Sequence, residues 1–177
     1  MKILVAYSSG YGTTREVSER IATVLREEGG VDVGVSSIDD VGTIDEFDVV
    51  VVGSSVRADK PMANVRDFFM RYNRELQQKR LAIFTVCLAA SCQEGRNKVK
   101  QEYISQITSR HPKLKPISTE AFGGKIDFDK LNPVMRQLMR RVLEKTGVES
   151  EGTVDTRDWT FIESWAVKLR NQLRHAA

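Results

Sequence analysis

The chain has 177 residues, 41% of them hydrophobic and 29% charged, with a net charge of +3. That balance describes one globular unit of ordinary size rather than a disordered or membrane-embedded chain, and the charge is too small to demand nucleic acid. The longest apolar run, Leu81 to Ala90, is about half of the roughly 20 residues that a membrane-spanning helix needs.

The first strand is predicted at Ile3–Tyr7, directly after Lys2 and with no small-residue cleavage site behind it, so the expectation is a cytoplasmic protein without a signal peptide. A helix follows over residues 14–28, with Val17, Ile21, Val24 and Leu25 as its apolar stripe. Thr13 or Thr14 caps it and Gly29–Gly30 ends it. The second strand is expected at Val31–Ser36, then a short helix at most near Val41–Phe47, then a third strand at Val49–Gly53. Asn64 is expected to cap a second helix, with the stripe Val65, Phe68, Phe69, Tyr72 and Leu76. The fourth strand is expected at Leu81–Leu88, a third helix carries Val99, Tyr103, Ile104 and Ile107, and the fifth strand is Ile117–Phe122. Strands three and four are nearly continuous apolar runs, as central strands buried on both faces require.

Asp155–Thr156 opens the last helix, which buries Ile162, Trp165, Ala166, Leu169 and Leu173. Strands alternating with helices give an α/β fold, a doubly wound five-stranded parallel sheet in the order 2-1-3-4-5 with helices on both faces. Residues 1–177 form a single domain in this scheme, with an insertion at about 124–152. Between Leu131 and Lys145 its apolar residues recur at helical spacing, with Pro133 in the first turn and Gly147 beyond the end. The opposite side carries Arg136, Arg140, Arg141 and Lys145. A cationic amphipathic helix with methionines suits an anionic membrane surface, cover for a large hydrophobic substrate, or plain packing on the sheet edge.

In such a sheet the ligand sits beyond the carboxyl ends of the strands, where strand order reverses. The loop after strand one reads Ser8-Ser9-Gly10-Tyr11-Gly12-Thr13-Thr14. Its hydroxyls and glycine N–H groups surround a helix start, which favours an anion and suits a terminal phosphate monoester. A dinucleotide fingerprint fails because Arg15 stands where the third glycine belongs, and Asp39 or Asp40 comes late for a ribose-binding acid. A P-loop is excluded by the missing Gly-Lys-Ser/Thr. A capped helix with no ligand is the other reading. The two cysteines, Cys87 and Cys92, read as a buried strand thiol and a loop thiol, and the two histidines, His111 and His175, give no metal site.

The Ser8–Thr14 loop resembles the phosphate loop of flavodoxins. The stretch Ser8–Glu16, the strand end Val52–Arg57 and the tail Gly152–Leu169 around Asp155-Thr156-Arg157-Asp158-Trp159 make the chain similar nearly end to end to the menaquinone-dependent protoporphyrinogen dehydrogenases of flavodoxin-like fold. The resemblance implies non-covalent FMN, its phosphate held by Ser8, Ser9, Gly10, Tyr11, Gly12, Thr13 and Thr14. It puts Ser54, Ser55, Val56 and Arg57, in the loop after strand three, and Cys87, Leu88 and Ala89, after strand four, against the flavin ring. Neither of these loops has the aromatic that often stacks on the ring in flavodoxins, which leaves room for a second flat molecule. Arg57 is the candidate catalytic residue: a guanidinium at the pyrimidine edge would stabilise the negative charge of the reduced ring, pair with a substrate carboxylate, or simply be solvated. The implied activity is oxidation of protoporphyrinogen IX with a quinone acceptor, in haem biosynthesis. The alternatives are a flavodoxin-type electron carrier working with redox partner proteins, and an FMN-dependent quinone reductase.

Overall fold

Apolar strands and amphipathic helices alternate along the chain as the hydrophobic pattern dictates. The computed structural model describes residues 1–27, 29–57, 60–144 and 151–175. In chain order they form β1 (Lys2–Ser8), α1 (Thr13–Arg26), β2 (Asp32–Ser37), β3 (Val49–Arg57), β4 (Lys60–Pro61), α2 (Ala63–Arg71), α3 (Asn73–Leu76), β5 (Arg80–Val86), α4 (Gln93–Val99), α5 (Ser105–Arg110), β6 (Ser118–Phe122), β7 (Lys125–Asp127), α6 (Pro133–Glu144), β8 (Thr153–Asp155) and α7 (Trp159–His175). The parallel sheet has the order β2-β1-β3-β5-β6, with β4 added antiparallel to β3. This is the expected 2-1-3-4-5 arrangement, renumbered because β4 enters the count.

Successive residues of a strand face opposite ways, so one apolar run supplies two cores. Ile3, Val5, Val49, Val51 and Phe84 pack with Ile21 and Leu25 of α1 and Ile162, Trp165 and Leu169 of α7. Leu4, Ala6, Val50, Val52 and Ile83 pack with Phe68 and Phe69 of α2 and Ile107 of α5. The valine run Val49–Val52 is buried throughout, and its β-branched side chains fit a strand covered on both faces.

Several boundaries differ from the sequence expectation, each for a local reason. Neither Thr13 nor Thr14 caps α1. Gly12, in the left-handed region at φ 89°, is the N-cap, and both threonines are already helical. The short helix between strands two and three is a 3-10 turn at Ile38–Asp40, not at Val41–Phe47, with Ser37 accepting from the Asp39 N–H at its start. Met62 precedes α2, and Asn64 lies inside its first turn with its side chain committed elsewhere. β5 stops at Val86 and a 3-10 turn covers Leu88–Ala90, so Cys87 is a half-buried loop residue rather than a strand thiol. The third helix is α4 and α5 joined by a π-helical turn at Lys100–Ile104. Its expected stripe of Val99, Tyr103, Ile104 and Ile107 is buried.

The insertion has structure of its own. β7 pairs antiparallel with β8, so Asp155 ends a strand and does not open the last helix. Asp158 does that, accepting from the Phe161 N–H at 2.9 Å. Phe128, Leu143 and Val154 form a small core under α6, backed by Leu88, Ile126, Leu131 and Met139. Gly123 lets the chain enter this unit. A Cβ there would stand 2.0 Å from the Thr156 carbonyl oxygen, a distance only glycine avoids. Helix α6 begins at Pro133 as its sequence suggests, whereas Lys145 and Gly147 lie outside the described residues.

Candidate functional site

A cleft of about 310 Å³ opens beyond the carboxyl ends of β1, β3 and β5. One end is polar. Ser9, Gly10 and Tyr11 line it from the β1–α1 loop, Thr13 and Thr14 from the first turn of α1, and Ser55 and Val56 from β3. The hydroxyl oxygens of Ser9, Thr14 and Ser55 are buried there without a hydrogen-bond partner. Buried hydroxyls in folded proteins are nearly always bonded, and leaving one unsatisfied costs about 1–3 kcal/mol. Three of them meeting beside the N-terminus of a 14-residue helix make a preformed anion cradle, because the unpaired N–H groups of that helix end favour negative charge.

The other sequence candidates hold the cradle's shape from outside it. Ser8 faces away: its Oγ donates to Asn64 Oδ1 at 2.6 Å, and Asn64 Nδ2 donates to Asp39 at 3.0 Å. This chain ties the ends of β1 and β2 to the start of α2. Ser54 accepts from the Met62 N–H at 3.3 Å and donates to the Ser55 carbonyl at 2.9 Å. Gly12 caps α1 and does not line the cleft. The stretch Ser54–Arg57, expected as a loop, is the end of a strand, with Arg57 in register with Lys60 of β4. The Arg57 side chain lies outside the described residues.

The far end of the cleft is apolar. Val86, Cys87, Leu88 and Ala89 form its floor, and Tyr103, Lys125 and Ile126 its rim. Leu131, Met135, Leu138 and Met139 close it from the insertion. Tyr103, Lys125 and Ile126 escape any loop-based search, because they reach the site from a helix and from the insertion hairpin. The spacing of Leu131, Met135, Leu138 and Met139, one face of a helix, was the available signal.

Helix α6 departs from its expected division into an inward apolar face and an outward basic one. Leu143 is fully buried, but Val134 and Leu138 remain 77% and 47% exposed. Arg136 is not on an open basic face: its Nε donates to the Phe128 carbonyl at 3.0 Å, securing the turn that precedes α6. Arg140 and Arg141 are exposed.

A charged knot joins the insertion to the cradle's helix. Arg157, only 4% exposed, reaches Glu16 in the first turn of α1 at 2.6 Å and the two oxygens of Asp155 at 2.6 and 2.8 Å. It also lies 4.6 Å over the Trp159 ring. Burial alone would raise the Asp155 carboxyl, but hydrogen bonds from Arg157 outweigh it and hold the group below the usual carboxylate range.

The family model described as Flavodoxin domain matches residues 4–153. Among curated relatives, a protoporphyrinogen IX dehydrogenase [quinone] of Leishmania major is 24% identical, over 93% of this chain and 73% of that protein. The protein of that name from Escherichia coli K12 is 22% identical, over 96% of this chain and 94% of its own length. Among solved structures, oxidised Flavodoxin 1 from Bacillus cereus superimposes with a TM-score of 0.52 at 16% identity, over 84% of this chain and 99% of that one. At that identity the likeness speaks for the fold alone.

Proposed function

The chain belongs to the flavodoxin domain family, and on that premise we propose that it is an FMN-dependent oxidoreductase that oxidises protoporphyrinogen IX to protoporphyrin IX and passes the electrons to a quinone. The trio of orphaned hydroxyls on Ser9, Thr14 and Ser55 carries the cofactor assignment. A phosphate monoester brings three exposed oxygens, which match those donors and the N–H groups at the start of α1. When bound, the flavin supplies the electron and hydride chemistry.

The chain's own residues bind and orient. Ser9, Gly10, Tyr11, Thr13 and Thr14 hold the phosphate. Ser8, Gly12 and Ser54 keep that loop in place from behind. Ser55, Val56, Cys87, Leu88 and Ala89 flank the ring. Arg57, next to the cleft-lining Val56, is assigned to the pyrimidine edge, where its charge favours the two-electron reduced ring. The apolar end, walled by Met135 and Met139, suits a flat macrocycle, since unbranched thioethers mould to irregular apolar shapes. The names and near end-to-end extent of the relatives agree with that choice. A flavodoxin-type carrier or an FMN-dependent quinone reductase would share the cofactor, but a carrier has no use for this chamber.

No helix among the described residues is long and apolar enough to cross a membrane. The exposed Val134, Leu138, Arg140 and Arg141 of α6 suit a peripheral seat on an anionic surface, where a quinone dissolves. We accordingly assign the protein to the cytoplasm, peripheral at that surface.

The test is an anaerobic assay of purified holoprotein with protoporphyrinogen IX and a menaquinone analogue carried in anionic vesicles, with the released cofactor identified after denaturation. FMN release and porphyrin formation are expected. Recovery of FAD, or a flavin that exchanges electrons only with partner proteins, overturns the reading.

A further inference from the structure

A second concavity, of about 140 Å³, shares no residue with the flavin cleft among the described residues. It lies between β4, the first two turns of α2 and the end of α5. Lys60, Arg66, Arg110 and His111 converge on it over a floor that includes Phe69 and Ile107, both buried. The Gln106 amide completes its polar wall, and no carboxylate among the described residues lines it.

The charged side chains that line it are all basic. Some cations of this chain meet carboxylates, as in Arg15–Glu19, Arg20–Glu163 and Lys100–Glu120. Here Lys60 and Arg110 have no ion-pair partner among the described residues. Arg66 has only a loose 3.8 Å contact with Asp67, its neighbour in sequence. Like charges gathered at one opening repel, and only an anion between them reverses the sign of the interaction. The start of α2 adds N–H groups of favourable polarity, since Ala63 lines the same space.

His111 fits the same scheme. Its ring lies 5.9 Å from that of Phe69, and its Nδ1 touches Asn73 Nδ2. With the amide as donor, Nδ1 accepts and the imidazole proton sits on Nε2. Burial first, and then the Arg110 charge, hold His111 below its ordinary value, so it is mostly neutral near pH 7 until an anion offsets Arg110. Val56 of the cleft wall is in register with Pro61 of this concavity, so the two cavities share one hairpin.

We propose that this concavity is a binding site for a single oxyanion group, phosphate or carboxylate, gripped by Lys60, Arg66 and Arg110, with any organic stem lying over Phe69 and Ile107. The site is independent of the flavin reading.

The experiment follows the His111 ring resonances by NMR in the full-length chain, with inorganic phosphate, phenyl phosphate or benzoate added against chloride at constant ionic strength. A saturable shift at His111 but not at His175, with the His111 titration midpoint moving up, is the expected result. Equal affinity for phosphate and phenyl phosphate identifies a free-ion site, and tighter phenyl phosphate or benzoate identifies an organic anion. The double substitution Arg66→Gln/Arg110→Gln should weaken binding by about tenfold or more, as loss of charge-assisted hydrogen bonds does. A chain whose His111 responds to none of the three probes beyond chloride overturns the proposal. So does a folded double variant that titrates like the parent.

Discussion

The two ends of the cleft beyond β1, β3 and β5 are built by different means. The polar end belongs to the sheet. Its hydroxyls sit on the loop that leaves β1, on the first turn of α1 and on the end of β3, and the Ser8–Asn64–Asp39 chain holds that frame. The apolar end keeps a floor of Val86–Ala89 but is closed by residues 125–139 of the insertion, whose small core of Phe128, Leu143 and Val154 stands apart from the two main cores. Such a division lets a fold keep its cofactor while the substrate wall varies, because substitutions in one core leave the other packed.

The largest expected effect falls on the sheet-built end alone. Thr14→Asp places a buried carboxylate where the anion binds, and affinity for FMN should fall about a hundredfold or more. Flavin-fluorescence quenching by the apoprotein measures it. Equal binding by parent and variant would remove the phosphate from this loop. A smaller and complementary effect is expected at the apolar end. Met135→Ala with Met139→Ala should lower kcat/KM for the porphyrinogen by about thirtyfold, given roughly 1 kcal/mol for each half-buried side chain lost. FMN affinity should be unchanged, and if it drops in parallel with turnover the two ends are one unit.

The smallest effect concerns the knot between them. The Asp155 carboxyl is held below its ordinary range in the folded chain, so its contribution is fully present above the unfolded value and fades as pH falls through the lower folded one. The difference in Tm between the parent and Asp155→Asn should therefore be positive and constant at neutral pH and should shrink only in acid, below about pH 4. A difference that grows in acid would contradict the assignment.

The strands of the sheet were legible because their apolar runs need no tertiary help. Val49–Val52 can hardly be anything but a central strand. Ser54–Arg57 misled because its serines interrupt that run, while the pairing that extends β3 comes from Lys60 and Pro61. Asp155 and Asp158 are equally good helix caps by sequence, and only the pairing of β8 with β7 decides between them. Within the loop, Ser8 and Ser9 look alike, yet one is spent on Asn64 and the other left open in the cleft. Arg136 looked like one more exposed cation of α6 until its backbone partner at Phe128 came into view.

The π-helical turn at Lys100–Ile104 has a consequence for chain length. A π turn takes up one residue more than an α turn for nearly the same advance along the axis. The segment Gln93–Arg110 thus carries a residue that its span does not require, and the extra one rotates everything after it relative to everything before. Ile104 and Ile107 meet the core behind the sheet, while Tyr103 joins the rim of the cleft. Two surfaces are served by one helix through a slip of its phase. Deleting a single residue from Lys100–Ile104 would restore the ordinary period and turn one of those two faces away from its partner.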